Sequence, residues 1–131
     1  MTTRLHKNIV VAGGRNLKDP DSSYLSLVVG LLIVYDAGLV ISGGCDGADK
    51  IGEDAARILG LPVRVVRADW DSYKKSAGPI RNAAMAKMAD LVICLPGGIG
   101  TDSMRREARK AGIKCLSVSV QTVYDDNLPS E

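Results

Sequence analysis

Residues 91–101 read Leu-Val-Ile-Cys-Leu-Pro-Gly-Gly-Ile-Gly-Thr, an apolar run broken by a loop holding three glycines and closed by a hydroxyl residue. An unbroken run of branched aliphatics predicts a parallel strand covered on both faces, because a strand with one wet face alternates apolar and polar residues. The segment Thr101–Ala111 that follows carries helical spacing, so the unit is strand, glycine-rich loop, helix. Working outward, the same unit recurs. Strands are predicted over Asn8–Ala12, Leu39–Ser42, Val63–Val66, Leu91–Leu95 and Lys114–Val118, and helices over Ser22–Tyr35, Asp46–Leu59, Ile80–Met88 and Thr101–Ala111.

In the second helix Ala48, Ile51, Ala55 and Leu59 recur at helical spacing, while Lys50, Glu53, Asp54 and Arg57 fall largely elsewhere. Gly38, Gly60 and Gly112 follow three helices and supply their C-terminal stops. Strands alternating with helices through short loops imply right-handed crossovers. The expected fold is α/β: a Rossmann-like, doubly wound parallel sheet of about five strands in the order 3-2-1-4-5. One domain spans residues 1–131, with its core over 8–118 and a polar C-terminal tail over 120–131.

Composition sets the outer bounds. A net charge of +2 gives no strong field for nucleic acid or membrane, so nucleic-acid binding is not expected from charge alone. The longest uncharged segment, Ser22–Tyr35, is too short to span a bilayer, and no signal-peptide pattern opens the chain. Cys45, Cys94 and Cys115 fit neither a disulfide framework nor a zinc-ligand pair. Cys94 and Cys115 read as small core residues, Cys45 sits in a glycine loop, and a reducing, cytoplasmic setting follows. No metal and no cofactor is expected. His6, the only histidine, lies far from the loops, which excludes a Ser–His or Cys–His pair.

In an open α/β sheet, ligands bind at the carboxyl ends of the strands near the reversal of strand order. Three glycine-rich loops occupy that edge: Gly13-Gly14-Arg15, Gly43-Gly44-Cys45-Asp46-Gly47-Ala48-Asp49, and Pro96-Gly97-Gly98-Ile99-Gly100-Thr101. Glycine lets backbone N–H groups approach an anion, and the helix that follows offers its positive end. Thr101 either caps its helix or gives its hydroxyl to a phosphate. None of the loops is a dinucleotide fingerprint, and the Walker lysine is absent. One Gly-Gly after a strand is ordinarily a tight turn; three at one sheet edge predict a binding site.

The segment Arg67–Asn82 is a fourth element at that edge. Trp70 either stacks on a base or ribose or caps the core. Gly78 and Pro79 precede Arg81, which opens the third helix, where a cation opposes the dipole unless an anion lies near. A phosphate or ribose contact is favoured over a surface salt bridge. Arg105, Arg106, Arg109 and Lys110 read as a solvated face of the last helix. From Ser22 to Tyr35 there is no charge. Leu25, Val28, Leu32 and Tyr35 make an inner stripe, and Leu27, Leu31 and Val34 an outer one that a second subunit is expected to cover.

The motifs Gly13–Arg15, Ser42–Asp49, Asp69–Met85 and Pro96–Thr101 together resemble the YspA/YpsA-related branch of the SLOG superfamily, over about residues 8–118. That resemblance implies a Rossmann-like domain binding a nucleotide or nucleotide-derived ligand. Its members include the LONELY GUY phosphoribohydrolases, the single-strand DNA protein DprA and nucleotide-signal sensors, and some occur in phage genomes. It implies ligand contacts at Gly13, Gly14, Arg15, Gly43, Gly44, Gly47, Asp49, Trp70, Gly78, Pro79, Arg81, Asn82, Gly97, Gly98, Gly100 and Thr101.

The phosphoribohydrolases pair an arginine, matched here by Arg81 of Arg81-x-x-x-Met85, with a glutamate. Met104 stands at the glutamate position. Binding or sensing of a nucleotide derivative is therefore the expected function. N-glycosidic cleavage of a nucleoside 5′-monophosphate by Arg81 with Asp49 as substitute acid is the alternative, and DprA-like single-strand binding a second. The expected location is the cytoplasm of a bacterium or of an infected host cell.

Overall fold

Apolar strand residues must leave water on whichever face they point to, and in this chain they point alternately to two helical layers. The computed structural model describes residues 6–120 and, by backbone alone, Val123–Asp125. The strands are β1 (Lys7–Ala12), β2 (Ala37–Ser42), β3 (Val63–Val65), β4 (Leu91–Cys94), β5 (Lys114–Val118) and β6 (Val123–Asp125). The sheet order is β3-β2-β1-β4-β5-β6; the first five strands are parallel, in the expected order 3-2-1-4-5. β6 adds antiparallel to β5, Leu116 opposite Asp125, within the stretch expected to be only a polar tail. Residues 121–122 and 126–131 of that tail lie outside the described residues.

Odd and even positions of β1 separate the two cores. Ile9 and Val11 join Val40, Ile93 and Leu116 beneath α1 (Ser23–Val34) and α2 (Ala48–Leu59). Val10 and Ala12 join Ile41, Val92, Cys94 and Cys115 beneath α4 (Ala77–Met88) and α5 (Ile99–Ala111). α2 approaches β1 closely because Gly52 has no side chain; a Cβ there would lie 2.7 Å from the Val11 Cβ. Cys94 and Cys115 are buried thiols, as expected for small core residues.

Helix boundaries follow local chemistry. Asp19 begins α1: its Oδ1 and Oδ2 accept the N–H groups of Tyr24 and Leu25 at 2.8 and 2.9 Å. Gly60 and Gly112 end α2 and α5 in the left-handed conformation, φ 70° and 73°, as read from sequence. Gly38 does not stop α1. It lies inside β2, where a side chain would collide with His6, and α1 closes on Tyr35 and Asp36 instead.

The third predicted helix starts three residues earlier, at Ala77, with Gly78 and Pro79 in its first turn. Proline is tolerated there because that turn needs no intrahelical N–H. A short helix α3 (Trp70–Tyr73), capped by Asp69 accepting from Ser72 N, and a 3-10 turn Lys74–Ser76 precede it.

The outer stripe of α1 also needs correction. Leu27 and Leu31 lean against the core because α1 packs on α2 as well as β2, which buries a wider arc. The apolar residues facing outward are Ile33 and Val34, 61% and 74% exposed, beside Gly30, around which a Cβ would find open space.

Candidate functional site

The strand order reverses between β1 and β4, and the two loops leaving that point are tied together. Gly14 N donates to Pro96 O at 2.9 Å, while Gly14 O accepts from Ala48 N at 3.0 Å. These bonds fasten the β1–α1, β2–α2 and β4–α5 loops to one another. Glycine is required where they touch: a side chain on Gly47 (φ 72°) would overlap the Gly14 carbonyl, and one on Gly97 would overlap Thr101 Oγ1. The fastened loops enclose a cleft of ≈ 520 Å³, within the size range of small-molecule sites.

One wall is the start of α5. Gly98 is the N-cap and offers no side chain, so the N–H groups of Ile99, Gly100 and Thr101 have no capping acceptor from it. Thr101 is the third helical residue, not the cap. It is 3% exposed, and its Oγ1 has no hydrogen-bond partner among the described residues. A buried hydroxyl costs stability unless something satisfies it. Uncapped amides, a positive helix end and an unpartnered hydroxyl together make an acceptor-shaped, anion-favouring subsite.

The opposite wall comes from α4 and α2. Arg81 lies one turn inside α4, with its guanidinium reaching back toward the loops. Its Nη1 donates to Gly43 O at 2.8 Å and to Val66 O at 3.4 Å, and its Nε donates to Asn82 Oδ1 at 2.9 Å. Asn82, 5% exposed, uses its Nδ2 on Ser103 Oγ at 3.2 Å and Gly100 O at 3.4 Å, which links α4 to α5. Asp49, in the first turn of α2, accepts the Cys45 N–H on Oδ2 at 3.1 Å. Burial pushes its carboxyl above the usual carboxylate range; the Cys45 N–H and the Arg81 charge draw it down only in part, and Glu53 adds to the rise. Ser42 Oγ donates to Glu53 at 2.7 Å and accepts from Gly44 N, which shapes the turn behind Asp49. The floor is apolar, formed by Ala12, Met85 and Met104.

Of the residues read from sequence, Gly13, Gly14, Arg15, Asp49, Arg81, Asn82, Gly97, Gly98, Gly100 and Thr101 meet in this cleft. Gly43, Gly44 and Gly47 stand behind it and shape its loops. Gly78 and Pro79 form the first turn of α4 outside it. Trp70 is 49% exposed, which removes the core-capping reading, and its ring rests near Gly78 instead of lining the cleft. Asn16, Leu17, Cys45, Met85, Ile99 and Met104 also line the cleft, beyond the contacts expected from sequence. Cys45 and Ile99 sit between glycines already singled out, so loop membership alone would have found them. On the far side of α5, Arg106, Arg109 and Lys110 are exposed, with Lys110 Nζ 3.5 Å from Glu107, which suits a solvated face. Arg105 departs from it, half-buried with its Nε donating to Ser117 Oγ of β5 at 3.0 Å and its Nη1 to Asp102 at 2.8 Å. No described helix is long and apolar enough to cross a membrane.

No family model matches the chain. The Gene 61 protein of Mycobacterium phage D29 is 34% identical over 119 residues, which cover 85% of this chain and 95% of that protein. Two solved structures share the fold. TM1055 superposes with a TM-score of 0.65 at 23% identity over 83% of this chain and 72% of its own. DNA processing protein A (DprA) from Streptococcus pneumoniae gives 0.67 at 18% identity over 87% of this chain, which spans half the length of DprA. Both share the doubly wound α/β fold that the SLOG resemblance implied.

Proposed function

The chain belongs to the family of the mycobacteriophage D29 Gene 61 protein, and on the chemistry of its cleft we propose that it binds a nucleotide or nucleotide derivative. The observation that carries this reading is Thr101 Oγ1, buried and unpartnered beneath the uncapped start of α5. A phosphate oxygen seated there accepts from the hydroxyl and the free amides and meets the positive end of the helix. Arg81 supplies the balancing cation from the other wall. The motif order supports membership of the YspA/YpsA-related branch, and on this reading the whole chain acts as one nucleotide-binding unit in the cytoplasm of a bacterium or an infected host.

One observation favours a second reading, N-glycosidic cleavage. Asp49 is a carboxyl held above its usual range beside Arg81, which is how a general acid is tuned. Against it, the glutamate position of the phosphoribohydrolases holds Met104, 1% exposed and without acid–base chemistry. Binding without turnover is therefore the leading function.

The exposed Ile33 and Val34 on an uncharged helix support a homo-oligomer that covers the α1 face. The test of the main reading is mass spectrometry of small molecules released on gentle denaturation, followed by titration of what is found. A released nucleotide that rebinds intact supports binding. Release of free base during the titration supports cleavage, and failure of nucleotides to bind removes both.

A further inference from the structure

The cleft contains one group that an anion site does not need. Asp49 is 8% exposed, yet it lines the same space as Thr101 and Arg81. An ionised carboxylate offers about four acceptor positions. Its donor partners among the described residues are the N–H and thiol of Cys45. Arg81 is its neighbour: a Cβ on Gly43 would lie 2.5 Å from Arg81 Nη1 and 2.8 Å from Asp49 Oδ2, and both side chains line the cleft. Arg81 spends Nη1 and Nε on Gly43, Val66 and Asn82, and its Nη2 makes no hydrogen bond among the described residues.

A phosphate against Asp49 would be repelled, and an apolar group would leave a buried charge short of donors. A neutral hydroxyl satisfies both sides, since it donates to the carboxylate and accepts from the guanidinium. Sugars carry such hydroxyls beside a phosphate. Resting on the nucleotide reading above, we propose that Asp49 is the sugar-recognising residue of the cleft, receiving the vicinal 2′,3′-diol of a ribose whose 5′-phosphate sits at α5. The ligand class is then ribonucleotide, with the 2′-deoxy series bound more weakly.

The experiment is calorimetric titration of the full chain with ribose 5-phosphate and 2-deoxyribose 5-phosphate, then with the four ribonucleoside 5′-monophosphates and their 2′-deoxy counterparts. Loss of a hydrogen bond to a charged group predicts deoxy compounds weaker by about tenfold or more. Asp49→Asn is expected to weaken the ribo series and bring the ribo-to-deoxy ratio to within about twofold. Equal affinity of the two series for the parent overturns the proposal and leaves nucleotide binding standing. A ratio unchanged in a folded Asp49→Asn protein overturns the assignment to Asp49. If neither series binds the parent, both this proposal and the nucleotide reading fall. The parent ratio needs no variant, so it decides even if Asp49→Asn does not fold.

Discussion

Arg81→Met removes the guanidinium while keeping most of the aliphatic stem, and its consequences can be worked from the hydrogen bonds lost. Arg81 clamps α4 to the β2–α2 loop through Gly43 O at 2.8 Å and holds Asn82 Oδ1 at 2.9 Å. The bond to Val66 O, at 3.4 Å, adds little. Both good bonds are charge-assisted and half-buried, so each is worth about 1.5 kcal/mol, near the lower end of its class. Methionine also strips Asp49 of its neighbouring cation. The expected loss at neutral pH is about 2–4 kcal/mol.

For a chain of this size that corresponds to a fall in Tm of about 6–20 °C. The assay is urea or thermal unfolding at two pH values. Part of the Arg81 contribution is its attraction to ionised Asp49, so the loss is smaller in acid, where Asp49 is neutral, and the double variant with Asp49→Asn recovers part of it. A loss under about 1 kcal/mol, independent of pH, would refute the clamp.

Three further outcomes follow from the same geometry. Gly98→Val finds open space around its Cβ and is expected to fold normally but lose affinity for any phosphorylated ligand, whereas Gly97→Ala collides with Thr101 and Gly14 N and should lose stability; a Gly98→Val protein that titrates like the parent removes the phosphate from α5. Because the folded state raises the Asp49 pKa, its stabilising contribution is present below the unfolded value of 3.8 and is lost as pH rises through the folded one. Asp49→Asn should therefore melt above the parent at pH 7, and the difference should close as pH falls below the ordinary carboxylate range; a variant less stable than the parent at pH 7 contradicts that sign. Ile33→Glu with Val34→Glu should convert an oligomer to a folded monomer in sedimentation velocity, and a parent already monomeric at micromolar concentration ends the assembly reading.

The sheet was legible because the parallel strands announce themselves as apolar runs, and the glycine loops fix where each ends. β6 was hidden: Val123–Asp125 is only three residues long within a tail rich in Asp, Asn, Ser and Thr, and it adds to the edge that β5 presents. The Gly78-Pro79 pair misled for a different reason, since it breaks helices everywhere except in the first turn, where it stands. Loop glycines and Arg81 were readable from local chemistry. The apolar floor was not, because Met85 and Met104 carry helical core spacing and reach the cleft only through the crossing of α4 and α5. Trp70 stands out in the sequence as the only tryptophan, but a residue opening a four-residue helix takes its orientation from the turn that follows, which no local pattern encodes.

The central claim, that a nucleotide phosphate docks on the uncapped start of α5, is tested most directly by amide-resolved NMR titration with a mixture of ribonucleoside 5′-monophosphates. Saturable shifts are expected to be largest at Gly98, Ile99, Gly100 and Thr101, with Gly14 following through its bond to Pro96. Shifts confined to the outer face around Arg106 and Arg109, or none at millimolar ligand, would contradict it.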